Sequence, residues 1–327
     1  MRFADLKIEW FEAELAAKLL KWYPFHKRGF VKIGFRDKKK NKWVMPYKYV
    51  EKGDSIFYFE TRPDDTWIIS FPGSDSTMTQ ELVRLVANDM NFDEAHRIHS
   101  VEKFLFYEIE SILNDHIAAK DVPDRINTEK YSVEFMDSLP SPRFFKSHMP
   151  LELLPTVVNS TCKIIYVARN PRDVVVSWYK FQKSLKQYEG SFEQFCYNFM
   201  NNRTLWSPYW EHVKEAWMMR HRANMMFLFY EDLIKDLSGN IKKIAAFFGK
   251  NYTDEQIVKL VEHRIEYFRR NPMVNQSSSD IVMPPEMFIR QETTDNWNKE
   301  VFTSEIKEIF TDWIKYNLKD TDLTFSS

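Results

Sequence analysis

Residues 66–86 begin Thr66-Trp67-Ile68-Ile69-Ser70-Phe71-Pro72-Gly73-Ser74-Asp75-Ser76-Thr77-Met78 and continue Thr79-Gln80-Glu81-Leu82-Val83-Arg84-Leu85-Val86. The stretch changes character twice. Thr66 to Phe71 is a short apolar run rich in β-branched and aromatic residues, closed by Pro72, and it predicts a buried strand. Gly73 to Thr77 is small and polar. From Met78 onward Leu82, Val83, Leu85, Val86 and Met90 fall near one helical face. Strand, tight loop and helix in succession aim backbone N–H groups and the positive end of a helix dipole at the loop, which favours an anion. Small hydroxyl residues before a helix are also ordinary N-caps, so phosphate binding and capping fit the composition equally. The Walker A pattern G-x-x-x-x-G-K-[ST] is absent, which argues against a nucleotide kinase.

The unit recurs further along the chain. Lys163-Ile164-Ile165-Tyr166-Val167-Ala168 predicts a second buried strand, and Arg169-Asn170-Pro171-Arg172-Asp173 a turn, with Pro171 suited to a first helical turn. Val174 to Lys186 reads as helix. Met225 to Tyr230 reads as a third strand, followed by a helix around Gly239 to Phe248. Alternation of this kind predicts an α/β fold: a mainly parallel sheet flanked by helices on both faces. Ligands of such sheets sit at the carboxyl ends of the strands, so the loops after Phe71, Ala168 and Tyr230 should converge. The first sixty residues carry a short amphipathic start and an aromatic- and lysine-rich stretch from Phe25 to Tyr58. Asp37 to Lys42 reads as a solvated hairpin tip.

The chain has 327 residues, enough for one large domain or two small ones. One domain over residues 1–327 is expected. With 46 Lys and Arg against 47 Asp and Glu, the net charge of -1 gives no electrostatic case for nucleic acid. Cys162 and Cys196 make neither a disulfide framework nor a metal site and read as reduced thiols of a cytoplasmic protein. Acidic residues interrupt every apolar stretch near the N-terminus, so no signal peptide is expected. No run reaches the roughly 20 apolar residues of a membrane span. No metal is expected either; His96 and His99 stand three apart without further ligands nearby.

Two further segments carry chemistry. In Arg143-Phe144-Phe145-Lys146-Ser147-His148-Met149-Pro150 a short strand precedes a lysine and a histidine two apart, which on extended chain point the same way. His148 has the ordinary affinity for protons that suits a general base at neutral pH. Lys146 can stabilise charge on a leaving phosphate. The same residues also fit a surface loop. Arg169 at a strand end and Ser177 two turns into the next helix can clamp a second phosphate, although Arg169 can equally pair with Asp173.

Taken together these segments resemble the cytosolic sulfotransferase family, from about Thr66 to the C-terminus. Phe71-Pro72-Gly73-Ser74-Asp75-Ser76-Thr77-Met78 occupies the place of that family's P-loop-like 5′-phosphosulfate loop. Lys146-Ser147-His148-Met149-Pro150 matches its catalytic histidine segment. Tyr166-Val167-Ala168-Arg169-Asn170-Pro171-Arg172-Asp173-Val174-Val175-Val176-Ser177 matches its 3′-phosphate segment closely. Phe229-Tyr230-Glu231-Asp232-Leu233, Ile289-Arg290 and Trp297 match further nucleotide-contacting segments. Lys299, Thr303 and Glu308 retain the K-x-x-x-T-x-x-x-x-E frame of the family's dimer motif. Phe71-Pro72, Met78 to Leu82 and Asn91 to Glu94 look like insect members in particular.

The resemblance implies a sulfotransferase fold, the donor 3′-phosphoadenosine 5′-phosphosulfate (PAPS), the product 3′-phosphoadenosine 5′-phosphate (PAP) and no metal. It implies His148 as general base and Lys146 as stabiliser of the transferring sulfuryl group. Gly73, Ser74, Asp75, Ser76, Thr77 and Met78 would surround the 5′-phosphosulfate. Arg169, Ser177 and Arg290 would hold the 3′-phosphate, with Gln291 and Glu292 in the same loop, and Tyr230 would contact the nucleoside. Phe181 and Phe25 would line a pocket for a small lipophilic hydroxyl acceptor. A homodimer through Lys299, Thr303 and Glu308 follows, with neither nucleic acid nor membrane as partner.

The chain departs from the family's pattern at that loop. The usual basic residue is Gly73, the inner glycine is Asp75, and Met78 stands where tryptophan is common. The C-terminal loop, Arg290-Gln291-Glu292-Thr293-Thr294-Asp295-Asn296-Trp297, lacks one positive charge and both glycines. Each change weakens binding of a polyanionic donor, so transfer is expected to be slow. Asp75 is expected to sit at a strained position that prefers φ > 0. A lysine at 73 with a glycine at 75 is expected to raise donor affinity and turnover. Three readings of function follow. One is transfer of sulfate to a phenol, sterol or terpenoid alcohol. Another is a non-catalytic binder of lipophile and nucleotide. The third is a dehydratase, in which sulfation of an allylic alcohol is followed by elimination, as an insect relative does with retinol.

Overall fold

The computed structural model describes residues 2–35, 42–93, 104–112, 132–270 and 302–325. Five strands form a parallel sheet: β4 (Thr66–Ser70), β5 (Leu105–Phe106), β6 (Phe144–Ser147), β7 (Lys163–Ala168) and β8 (Met225–Phe229), in the order β5-β6-β4-β7-β8. A mainly parallel sheet is what the sequence predicts, with β4, β6, β7 and β8 among its expected strands; β5 was not expected. Its residues alternate between two cores: Trp67, Ile69, Ile164 and Tyr166 enter one, and Ile68, Ile165 and Val167 the other. A sheet buried on both faces explains why these strands are apolar throughout rather than every second residue.

Helices cover both faces. α3 (Ser76–Ala87) follows β4, and its buried Leu82, Val83, Leu85 and Val86 pack on the second core beside Ile241 and Ile244. α4 (Pro171–Ser184) follows β7, with Pro171 in its first turn and the Asn170 side chain accepting from the Arg172 N–H. The expected helix thus begins three residues earlier than the apolar pattern suggested, because a capped proline start needs no apolar residue. After β8 the chain turns at once into α7 (Tyr230–Lys235) and α8 (Leu237–Phe247), so Tyr230 opens a helix instead of ending the strand. Between α4 and β8 lie α5 (Phe192–Met200) and α6 (Tyr209–Met219), and near the C-terminus α10 (Ser304–Leu318), which follows α9 (Asp254–Arg270) in chain order.

The N-terminal region adds a three-stranded antiparallel sheet that the sequence reading left unassigned: β1 (Leu6–Trp10), β2 (Phe30–Phe35) and β3 (Trp43–Pro46), with α1 (Ala13–Trp22) and α2 (Tyr49–Phe57). Of the expected hairpin tip, Asp37 to Asn41 lie outside the described residues, and Lys42 pairs with Glu9. Phe30 and Phe57 are core residues of the first cluster. Both cysteines are buried and free, and burial pushes the Cys162 thiol up to about 11. Among the described residues no helix is long and apolar enough to cross a membrane.

Candidate active site

The carboxyl ends of β4, β6, β7 and β8 bring the quoted segments together. β4 and β6 pair in parallel with Ile68 beside Lys146 and Ile69 beside Ser147. Lys146 therefore lies in the strand and His148 just past its end. The His148 ring folds back onto β4, where its Nδ1–H donates to the Ser70 carbonyl at 2.7 Å. That bond assigns the proton to Nδ1 and leaves the Nε2 lone pair available. The backbone of His148 is held as well. Its N–H donates to Glu108 Oε1 at 2.6 Å, and its carbonyl accepts from His212 Nε2–H at 2.9 Å. His212 Nδ1 in turn accepts from the Tyr166 hydroxyl at 2.7 Å.

Aromatic rings wall the imidazole. Phe106 lies edge-on at 5.4 Å and Trp206 at 5.5 Å. Trp206 meets Trp178 at 5.9 Å, and Phe181 stacks on Trp178 at 5.5 Å. Burial, reinforced by the Lys146 charge, holds the His148 imidazole well below its ordinary range, against the pull of the Ser70 bond. The ring is therefore neutral at physiological pH, the form a base needs. Burial also lowers the Lys146 ammonium, while the carboxylates of Glu108 and Asp75 work in the opposite direction. The same ammonium stands 4.8 Å over the Phe106 ring.

The loop after β4 is tightly bent. Gly73 has φ +87°, and Asp75 has φ 59° and ψ 46°, the left-handed region expected for that position. Asp75 occupies the cap position of α3, yet its side chain makes no capping hydrogen bond. The small hydroxyl residues read as possible caps thus do not hold that position. Ser74 Oγ and Thr79 Oγ1 are buried with no hydrogen-bond partner, while Ser76 Oγ accepts from Gln80 Nε2 at 3.3 Å. A buried, unpartnered Ser74 hydroxyl within such a loop is what a bound anion would satisfy. Thr77 is half-buried, and Met78 packs into the second core with Leu228 and Tyr230.

The remedy expected at Gly73 fails on this geometry. A Cβ there would stand 2.7 Å from the Val174 carbonyl oxygen and 3.2 Å from the Trp178 nitrogen. A lysine at 73 would carry both this clash and a left-handed φ, so the position is no open seat for a basic side chain.

Arg169 crosses to the same loop. Its Nη1–H donates to the Gly73 carbonyl at 3.2 Å, its guanidinium lies 4.3 Å over the Tyr230 ring, and its Nε has no partner. The segments after Phe71 and Ala168 thereby meet at Tyr230, which was expected to end its strand and instead begins the helix after β8. Ser177 is buried on α4, one residue before Trp178 and four before Phe181. Phe25 is edge-on to His26, which contacts Phe30. Arg290, Gln291, Glu292, Trp297 and Lys299, with His96 and His99, lie outside the described residues. Thr303 is the N-cap of α10, its Oγ1 accepting from the Ile306 N–H at 3.2 Å, and Glu308 is exposed on that helix.

Sequence reasoning missed Glu108, Phe106, Trp178, Trp206 and His212. Trp178 carried a signal, since it precedes Phe181 by three on a predicted helix and so shares its face. Glu108 carried none, because the strand before it is two residues long.

The chain matches the Sulfotransferase domain over residues 63–322. It is 32% identical over 277 residues to Sulfotransferase 4A1 of Mus musculus, covering 84% of this chain and 87% of that one. It is 30% identical over 285 residues to luciferin sulfotransferase of Photinus pyralis, covering 83% of this chain and 76% of that protein. Among solved structures, retinol dehydratase in complex with androsterone and the inactive cofactor PAP superimposes with a TM-score of 0.86 at 33% identity, covering 99% of both chains. Retinol dehydratase with retinol and PAP gives 0.85 at 33% identity over the whole of each chain.

Proposed function

This chain belongs to the sulfotransferase family, and from that premise we propose that it transfers a sulfuryl group from PAPS to the hydroxyl of a small lipophilic acceptor. One observation carries the reading. A neutral histidine with a free Nε2, inside an aromatic wall, stands beside a bent loop whose buried Ser74 Oγ and facing Arg169 Nε lack partners.

The donor supplies an already activated sulfur–oxygen bond and needs no metal to do so. His148 Nε2 takes the proton of the acceptor hydroxyl as its oxygen bonds to sulfur, and the Ser70 carbonyl stabilises the imidazolium that forms. Lys146 meets the charge that develops when the bond from sulfur to the bridging phosphate oxygen breaks. Ser74, Ser76 and Thr77 with the loop N–H groups hold the 5′-phosphosulfate, and Arg169 and Ser177 hold the 3′-phosphate, joined by Arg290. Tyr230 contacts the nucleoside. Phe106, Trp178, Phe181 and Trp206 supply the apolar surface that excludes water from the acceptor. The reading includes one domain over residues 1–327, a cytoplasmic location, and a homodimer through Lys299, Thr303 and Glu308.

The likeness to retinol dehydratase along the whole chain favours a second outcome at the same site. With an allylic alcohol, the sulfate ester formed first loses sulfate and a proton to give a conjugated alkene. The deciding test is calorimetric titration with PAP, followed by PAPS with a panel of phenols, sterols and allylic alcohols. Mass spectrometry then separates sulfate ester from dehydrated product. PAP binding without any product would overturn transfer in favour of a non-catalytic binder, as the Asp75 carboxylate in the loop allows.

A further inference from the structure

We propose that Glu108 is the positioning residue of the transfer: its buried carboxylate fixes the backbone of His148 and supplies an anion facing Lys146. The inference rests on the sulfotransferase reading above.

β5 pairs with β6 through Leu105 beside Phe145 and Phe106 beside Lys146, and the Tyr107 N–H extends the ladder to the Lys146 carbonyl at 2.9 Å. Glu108 therefore arrives alongside Ser147 and His148. Its own carbonyl is pinned by the N–H and hydroxyl of Ser111, at 2.9 and 2.7 Å. The two carboxylate oxygens divide the work. Oε1 accepts the His148 N–H at 2.6 Å, and Oε2 accepts the Ser147 hydroxyl at 2.8 Å. Ser147 Oγ accepts the Met149 N–H at 3.0 Å. Three consecutive residues thus hang on one side chain.

Both partners of the carboxylate are donors. A carboxylate satisfies them at both oxygens, whereas an amide has one accepting oxygen only. The side chain has no exposure to water, and burial pushes its carboxyl up to about 7. Among the described residues it is faced by Lys146 on β6, by His148, by Tyr107 beside it and by Tyr49 on α2. An ionised carboxylate in such a place costs stability. A carboxyl raised above its unfolded value, about 4.3, stabilises the fold below that value and loses the contribution as pH rises through about 7. A costly buried anion tied to the proton acceptor has the signature of a group kept for function.

The test is Glu108→Gln. The turnover number at pH 7.5 should fall about ten- to hundredfold, as for loss of a hydrogen bond to a charged group. PAP affinity by calorimetry should stay within about twofold, and the melting temperature at pH 8 should hold or rise. Wild-type kcat should show an acid limb near pH 7 that is missing from the variant. Glu108→Asp should recover part of the rate, and Ser147→Ala should lose less than Glu108→Gln, about three- to tenfold. A Glu108→Gln enzyme within twofold of wild type would overturn the proposal, and so would a loss of rate matched by equal losses of PAP affinity and melting temperature. If that variant does not fold, an unchanged kcat in Ser147→Ala together with no limb near pH 7 overturns it equally. Failure of the wild type to transfer at all strikes the functional reading instead, since this inference is read from the ratio of variant to a working wild type.

Discussion

The two halves of the candidate site are built in opposite ways. The half around His148 is held entirely by the protein: ring, backbone N–H and carbonyl each have a partner within 3.0 Å. The half around Gly73 to Thr79 is bent into left-handed backbone at two positions and leaves buried hydroxyls unpaired. The first half has its polar groups paired within the chain; the second leaves Ser74 Oγ, Thr79 Oγ1 and Arg169 Nε without partners. A proton acceptor must be pre-set to within a fraction of an ångström, whereas an anion loop gains most of its order from the anion.

The sharpest way to break this contrast is His148→Ala. Turnover should fall about 10²- to 10⁴-fold in a PAPS assay while PAP binds within about twofold of wild type. A large loss of PAP affinity would show that the halves are not independent. Arg169→Ala should do the reverse: PAP affinity falls about ten- to hundredfold by calorimetry, because a charge-assisted contact to phosphate and the bond to Gly73 are both removed. Asp75→Gly should tighten PAP about three- to tenfold, by removing an anion from the loop and relieving a left-handed non-glycine. Weaker binding in that variant would mean that Asp75 shapes the loop rather than opposing the donor.

The smallest effect concerns the mount's own stability. Burial lowers His212 to about 4, so the unfolded chain takes up its proton first on acidification. The contribution is complete above about pH 6.5 and is lost as pH falls towards 4, about 3 kcal/mol at most. Denaturant titrations should show stability declining over that window, and less steeply in His212→Gln. An equal slope in both proteins would remove His212 from the account.

The parallel sheet was legible because its strands are continuous apolar runs and its helices follow at once. Lys146, His148 and Arg169 were legible because each stands in or just past the end of an apolar strand. The antiparallel sheet was not, since β3 is all but hidden behind a lysine-rich turn and β1 alternates weakly, with Trp10 60% exposed. Glu108 and His212 meet His148 across 40 and 64 residues, and no local pattern encodes such a contact. Gly73 was read, from the resemblance alone, as standing at a usually basic position, while the approach of Val174 that crowds a side chain there exists only in three dimensions.

The bond from His148 to Ser70 has a geometric consequence. Ser70 ends the same strand that runs into the Gly73 to Thr77 loop, and β6 carries the histidine beside it in fixed register. The sheet is thus a ruler between the base and the loop, graduated in steps of about 3.3 Å per residue. A single-residue insertion or deletion in β6 would shift the mark by one graduation and turn Lys146 to the opposite face. Substitution at Phe181 or Trp206 would reshape the aromatic wall while leaving this register, set by the pairing of β4 with β6, untouched.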